Sequence, residues 1–161
     1  MPATGLDRLN DMPDGEARQA LRGVCASTSW ADAVASKRPF TAPEDLHAAA
    51  DGALVALEET DLDEALAGHP RIGERSGSAS SRREQSGVAD ETREAFAEAN
   101  AEYEKRFGHV YLVCASGRSG DELLGLLRQR LANDPATERR VAREELGKIN
   151  RLRLQRLVED S

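Results

Sequence analysis

The spacing of small and aliphatic side chains most limits what this chain can fold into. Behind Pro43, the residues Leu46, Ala50, Leu54 and Leu57 recur at steps of four, four and three. That interval lines up one face of an α-helix. It predicts a helix from Pro43 to about Glu58, with the proline in the first turn, where its missing amide hydrogen is not needed. Similar signals predict helices at 6–10, at 14–24, around Trp30 and at 61–67. Further helices are expected at 81–88, on a longer stretch ending near Phe107, at 120–133 and at 136–159. "KRPF" at 37–40 breaks the chain. Ala, Leu, Glu and Arg abound while aromatics are only 4%, which favours helix. One stretch departs from the pattern: "GHVYLVCASG", 108–117, is β-branched and apolar, as a short buried extended segment would be. The expected fold is all-α. It is a single-domain bundle of roughly eight helices over 1–161, with a loop at 68–80 and a short extended segment near 109–115. A chain of 161 residues fits one domain and buries about 70% of its unfolded surface.

Charge and composition exclude several classes of function. The net charge of −7 argues against general binding to nucleic acid or anionic membranes. No run of 18 apolar residues is present, so no membrane-spanning helix is expected. The start, "MPATGLDRLND", lacks the basic and apolar regions of a signal peptide, and "VEDS" is not a peroxisomal address. Cys25 and Cys114 are isolated and lack metal-type spacing. A reducing cytoplasm is the simplest setting.

Three stretches could carry chemistry. In "GHPRIGER", 68–75, His69 precedes a proline that stiffens the backbone. It is either a positioned proton donor or a turn that happens to contain a histidine. His47 and His109 read as structural. In "SRREQ", 81–85, Ser81, Glu84 and Gln85 share a helix face. Ser81 and Glu84 form a capping box, or Glu84 and Gln85 face a ligand at a helix N-terminus. In "KINRLRL", 148–154, Leu146, Ile149, Arg153 and Leu157 fall on one face. Arg153 thus interrupts an apolar stripe and needs a partner, either an internal carboxylate or an anionic ligand. Arg151 falls on the wet face. Asn100, on the stripe of Phe96, Tyr103 and Phe107, reads as a core amide.

Taken in order, "HPRIG", "SRREQ", "NAEYEKRFGHVYLVCASGRS", "RLAND" and "KINRLRL", with "WADAVASKRPF" near the start, resemble the OHCU decarboxylase family. OHCU is 2-oxo-4-hydroxy-4-carboxy-5-ureidoimidazoline, an intermediate of urate breakdown. The resemblance spans nearly the whole chain. It implies an all-α homodimer without cofactor or metal that releases CO2 to give (S)-allantoin. Matched motif by motif, the catalytic groups are His69, Glu84 and Arg153. Pro70, Ser81, Arg82, Arg83 and Gln85 fall in ligand-contacting stretches. So do Tyr111, Leu112, Val113, Cys114 and Ala115, whose backbone would line the pocket. His109 stands where some members carry Phe. In such a substrate the departing carboxylate sits beside a ring C=N bond, which accepts the electron pair, so neither pyridoxal, thiamine nor metal is needed. Two other classes remain: a non-catalytic helical binding module associated with purine degradation, and a metal-dependent hydrolase, which the scattered histidines support poorly.

Overall fold

In the computed structural model, which describes residues 4–69 and 93–159, every regular element among those residues is a helix. There are eight: α1 Gly5–Asp11, α2 Asp14–Val24, α3 Thr28–Ala35, α4 Pro43–Ala56, α5 Glu59–Ala67, α6 Arg93–Phe107, α7 Gly120–Arg130 and α8 Pro135–Val158. The chain divides into two compact units. One contains residues 1–68 and 147–161, the other 69–146.

Local signals set the helix starts of the first unit. Thr4 and Asp7 form a capping box: the Thr4 hydroxyl accepts from the Asp7 amide at 3.0 Å, and Asp7 accepts from the Thr4 amide at 3.1 Å. Ser27 caps α3 by accepting from the Trp30 amide at 3.2 Å. Pro43 opens α4 in the first turn, where its ring geometry already fits a helix. The third helix packs against α2, α4 and α5. It buries Trp30, Ala31 and Val34 completely, and the Trp30 indole N–H donates to Ala50 O at 3.1 Å. Burying so large a ring is worth more than any single hydrogen bond here, and the carbonyl satisfies its polar edge. The predicted break at 37–40 is held by polar bonds. Arg38 donates to the Leu9 and Met12 carbonyls at 3.0 and 2.7 Å. Asn10 and Phe40 exchange bonds at 2.9 and 2.8 Å.

The second unit packs α6 against α7. Phe96, Ala99, Tyr103, Tyr111, Val113, Ala115, Leu123, Leu124 and Leu127 form one apolar cluster. Ser119 caps α7 by accepting from the Glu122 amide at 3.1 Å. Between α6 and α7 the chain turns at Gly108 and Gly117, whose φ angles are +79° and +77°, a region glycine enters without strain. The segment between them, expected to be extended, buries Tyr111, Leu112, Val113 and Ala115 but joins no strand among the described residues. Side chains rather than a sheet satisfy its polar backbone, as shown below.

Candidate functional site

His69 is placed by the end of α5. The helix stops at Ala67, and Gly68 passes so close to Ala26 that a Cβ there would lie 2.4 Å from the Ala26 methyl. Only glycine fits, so the backbone leading to His69 is held tightly. His69 itself is 8% exposed and is therefore no solvent-facing turn histidine. The other two histidines are half-buried. Burial, with help from the Arg151 charge, pushes the His47 imidazole below its usual pKa. His109 Nδ1 lies 3.0 Å from Val110 O, and its ring meets Tyr103 edge-on at 5.6 Å.

Arg153 projects from α8. The buried face of that helix carries Leu146, Ile149, Asn150 and Leu154, while Arg153 and Leu157 are half-buried. The expected stripe through Leu146, Ile149, Arg153 and Leu157 is thus corrected by one position at its C-terminal end, where Leu154 takes the core. The cause is helical drift: steps of 3 and 4 average to the 3.6-residue turn only approximately. Arg153 sits on the rim, and its Nη1 donates to Val24 O at 3.1 Å. That bond uses the last turn of α2, where carbonyls lack helical partners and favour cations. Arg151 lies on the exposed face as expected and pairs with Asp51 at 2.5 Å.

The 111–115 stretch is held by a polar network that the sequence reading did not find. The Tyr111 hydroxyl donates to Leu123 O at 3.0 Å. Arg130 Nη1 donates to Leu112 O at 2.5 Å. The Cys114 amide donates to Glu145 Oε1 at 3.0 Å. Arg130 is held in turn by Glu138, through Nε at 2.5 Å and through a second contact from Nη2. Glu138 also accepts from Tyr103 OH at 2.6 Å and from Asn133 Nδ2 at 3.0 Å. Arg130 further lies 4.8 Å from the Tyr111 ring centre. Burial works against the charge of Arg130, but the hydrogen bond to Glu138, the Glu138 charge and the two neighbouring phenols together outweigh it, so its pKa is raised. Burial also drives both phenols far above the usual tyrosine range, reinforced at Tyr103 by the Glu138 carboxylate. A signal for this network was present. Glu138, Ala142, Glu145 and Leu146 continue the α8 stripe at helical spacing, so two carboxylates had to be on a buried face.

Pro70, Ser81, Arg82, Arg83, Glu84 and Gln85, with the loop beyond His69 and the helix expected at 81–88, lie outside the described residues. Among the described residues no three His, Cys, Asp or Glu side chains are grouped to hold a metal. No described helix is long and apolar enough to cross a membrane.

Comparison with known proteins decides the family. The sequence profile of OHCU decarboxylase matches residues 10–155. The chain belongs to the OHCU decarboxylase family. Among its family relatives, the putative 2-oxo-4-hydroxy-4-carboxy-5-ureidoimidazoline decarboxylase of Homo sapiens is 35% identical, with 95% of each chain covered. The uric acid degradation bifunctional protein TTL of Arabidopsis thaliana is 32% identical over 84% of this chain. This chain spans less than half the length of the bifunctional relatives it matches, 45% in the Arabidopsis case. A crystal structure of an OHCU decarboxylase in the presence of (S)-allantoin superposes with a TM-score of 0.80 at 28% identity. It covers 92% of this chain and 100% of the other. That all-helical likeness agrees with the fold expected from sequence.

Proposed function

We propose that this chain is a cofactor-independent decarboxylase that converts OHCU to (S)-allantoin and CO2 in urate degradation. The observation that carries the reading is the profile match across residues 10–155, which takes in every motif singled out in the sequence. The likeness to a solved OHCU decarboxylase supports it. The match also runs through both units, which supports treating 1–161 as one functional domain.

The chemistry needs little beyond positioned side chains. As the carbon–carboxylate bond breaks, its electron pair forms a double bond to the neighbouring ring carbon. The C=N pair there moves onto nitrogen, which takes a proton. The carbinol hydroxyl then loses its proton to become the ring carbonyl, and the ureido-bearing carbon is protonated from one face. Facial protonation sets the (S) configuration. The protein must orient the ring, steady the developing charge and supply that proton. In this reading Arg153 holds an anionic or carbonyl portion of the substrate. Glu84 and Gln85 bond ring or ureido nitrogens. Pro70, Ser81, Arg82 and Arg83, with the backbone of Tyr111, Leu112, Val113, Cys114 and Ala115, complete the contacts. His69 acts at the carbinol and carboxylate region and moves the proton. Acid–base help of this kind is worth about 10²- to 10⁴-fold. A homodimer working in the cytoplasm completes the proposal.

The test is circular dichroism during urate oxidation, with a hydroxyisourate hydrolase present. Added protein is expected to speed the appearance of optically active allantoin, and His69→Asn to abolish that effect while keeping the helical spectrum. No acceleration by the parent protein would favour the non-catalytic binding module. Full activity in His69→Asn would remove the imidazole from the mechanism.

A further inference from the structure

Asn150 lies on α8 three residues before Arg153, so the two project from neighbouring positions of one helix side. It is 2% exposed, and apart from the weak thiol of Cys25 neither Nδ2 nor Oδ1 of its amide has a hydrogen-bond partner. Native folds keep few such groups, because an unsatisfied buried amide weakens them, and each one asks for an explanation. Its surroundings are not a plain apolar core. The Cys25 thiol, 1% exposed at the end of α2, is raised in pKa by burial and drawn back by the Ser27 backbone, the Asn150 side chain and the Arg153 charge. Arg153 meanwhile donates to Val24 O, the residue before Cys25. A thiol, a carboxamide and a guanidinium from distant parts of the sequence therefore share one small region within one unit.

We propose that Asn150 is a substrate-contacting, specificity-determining residue that recognises the N–H/C=O edge of a ureide. A carboxamide offers a donor and an acceptor side by side. A ureido group or imidazoline ring presents the same pair reversed, so two hydrogen bonds satisfy both partners at once. Cys25 is too weak a partner to do this, and Arg153 has donors only. A site built this way rejects analogues lacking the matching group, since its buried amide would again be unsatisfied. The fold thus tolerates a destabilising group that ligand binding completes. The choice of a ureide rests on the decarboxylase reading above; the unpartnered amide does not.

The experiment compares the parent with Asn150→Leu and Asn150→Ala, reading turnover of OHCU together with melting temperature with and without (S)-allantoin. Asn150→Leu is expected to melt at or above the parent temperature. Its kcat/KM should fall about 10-fold or more, chiefly through KM, and the allantoin-induced rise in Tm should disappear. A structural role cannot give that combination of kept stability and lost binding. If leucine overpacks the site, the alanine variant decides by the same criteria. Kept kcat/KM and an undiminished allantoin shift in a folded variant overturn the inference and leave the decarboxylase reading intact. A parent that fails to turn over OHCU, yet is stabilised by (S)-allantoin only when Asn150 is present, overturns the decarboxylase reading and keeps the inference. A parent that does neither overturns both.

Discussion

Replacing Glu138 by leucine tests the physical account of the second unit most sharply. Glu138 is fully buried, and Arg130 is 7% exposed. The carboxylate accepts from Tyr103 OH at 2.6 Å, from Arg130 Nε at 2.5 Å and from Asn133 Nδ2 at 3.0 Å. Glu138→Leu leaves a guanidinium in the interior without a countercharge. Removing one partner of a buried ion pair costs about 3–5 kcal/mol. For a chain of this size each kcal/mol moves Tm by about 2–4 °C, so a fall of about 6–20 °C is expected. Total stability is typically only about 5–15 kcal/mol, so this single change removes a large share of it. The cost arises from the orphaned charge rather than from the pair's intrinsic worth. Arg130→Met combined with Glu138→Leu should therefore recover a substantial part of the loss. Recovery stays incomplete, because Leu112 O also loses its donor. Urea titration followed by circular dichroism measures both variants. A loss below about 1 kcal/mol for Glu138→Leu, or a double variant no more stable than the single, would refute the reasoning.

Two further outcomes follow from the same structure. Arg153→Met removes the donor to Val24 O and the proposed substrate contact. It is expected to cost about 1.5–3 kcal/mol in stability and to lower kcat/KM, and steady-state kinetics showing an unchanged kcat/KM would confine Arg153 to its structural bond. The raised phenol pKa values of Tyr103 and Tyr111 predict alkaline sensitivity. Unfolded phenols ionise near pH 10 while these remain protonated in the fold. The unfolded state then binds fewer protons, so their stabilisation is complete below about pH 10 and is lost as pH rises beyond it. Urea midpoints should drop across that range and drop less in Tyr103→Phe; equal slopes would count against the assignment.

Much of the helical layout was legible because its causes are local. Asp14–Val24 was expected with those limits and is found with them. Pro43 opens α4 as its fixed φ requires, and Phe107 closes α6 just before a glycine turn. Spacing, prolines, glycines and capping hydroxyls act within one or two turns, so the sequence displays them directly. The motifs also placed the chain in its family before any coordinates. Which polar groups meet depended on residues far apart along the chain. No spacing joins Arg130 to Leu112 O, or Cys25 to Asn150 and Arg153. Only packing decided that Arg153 is half-buried while Leu154 enters the core, and that the apolar stretch at 111–115 is held by buried charges instead of a sheet. Helix formation is a short-range property of the backbone. The satisfaction of buried polar groups depends on the whole fold, because each group takes whichever partner the tertiary structure brings within reach.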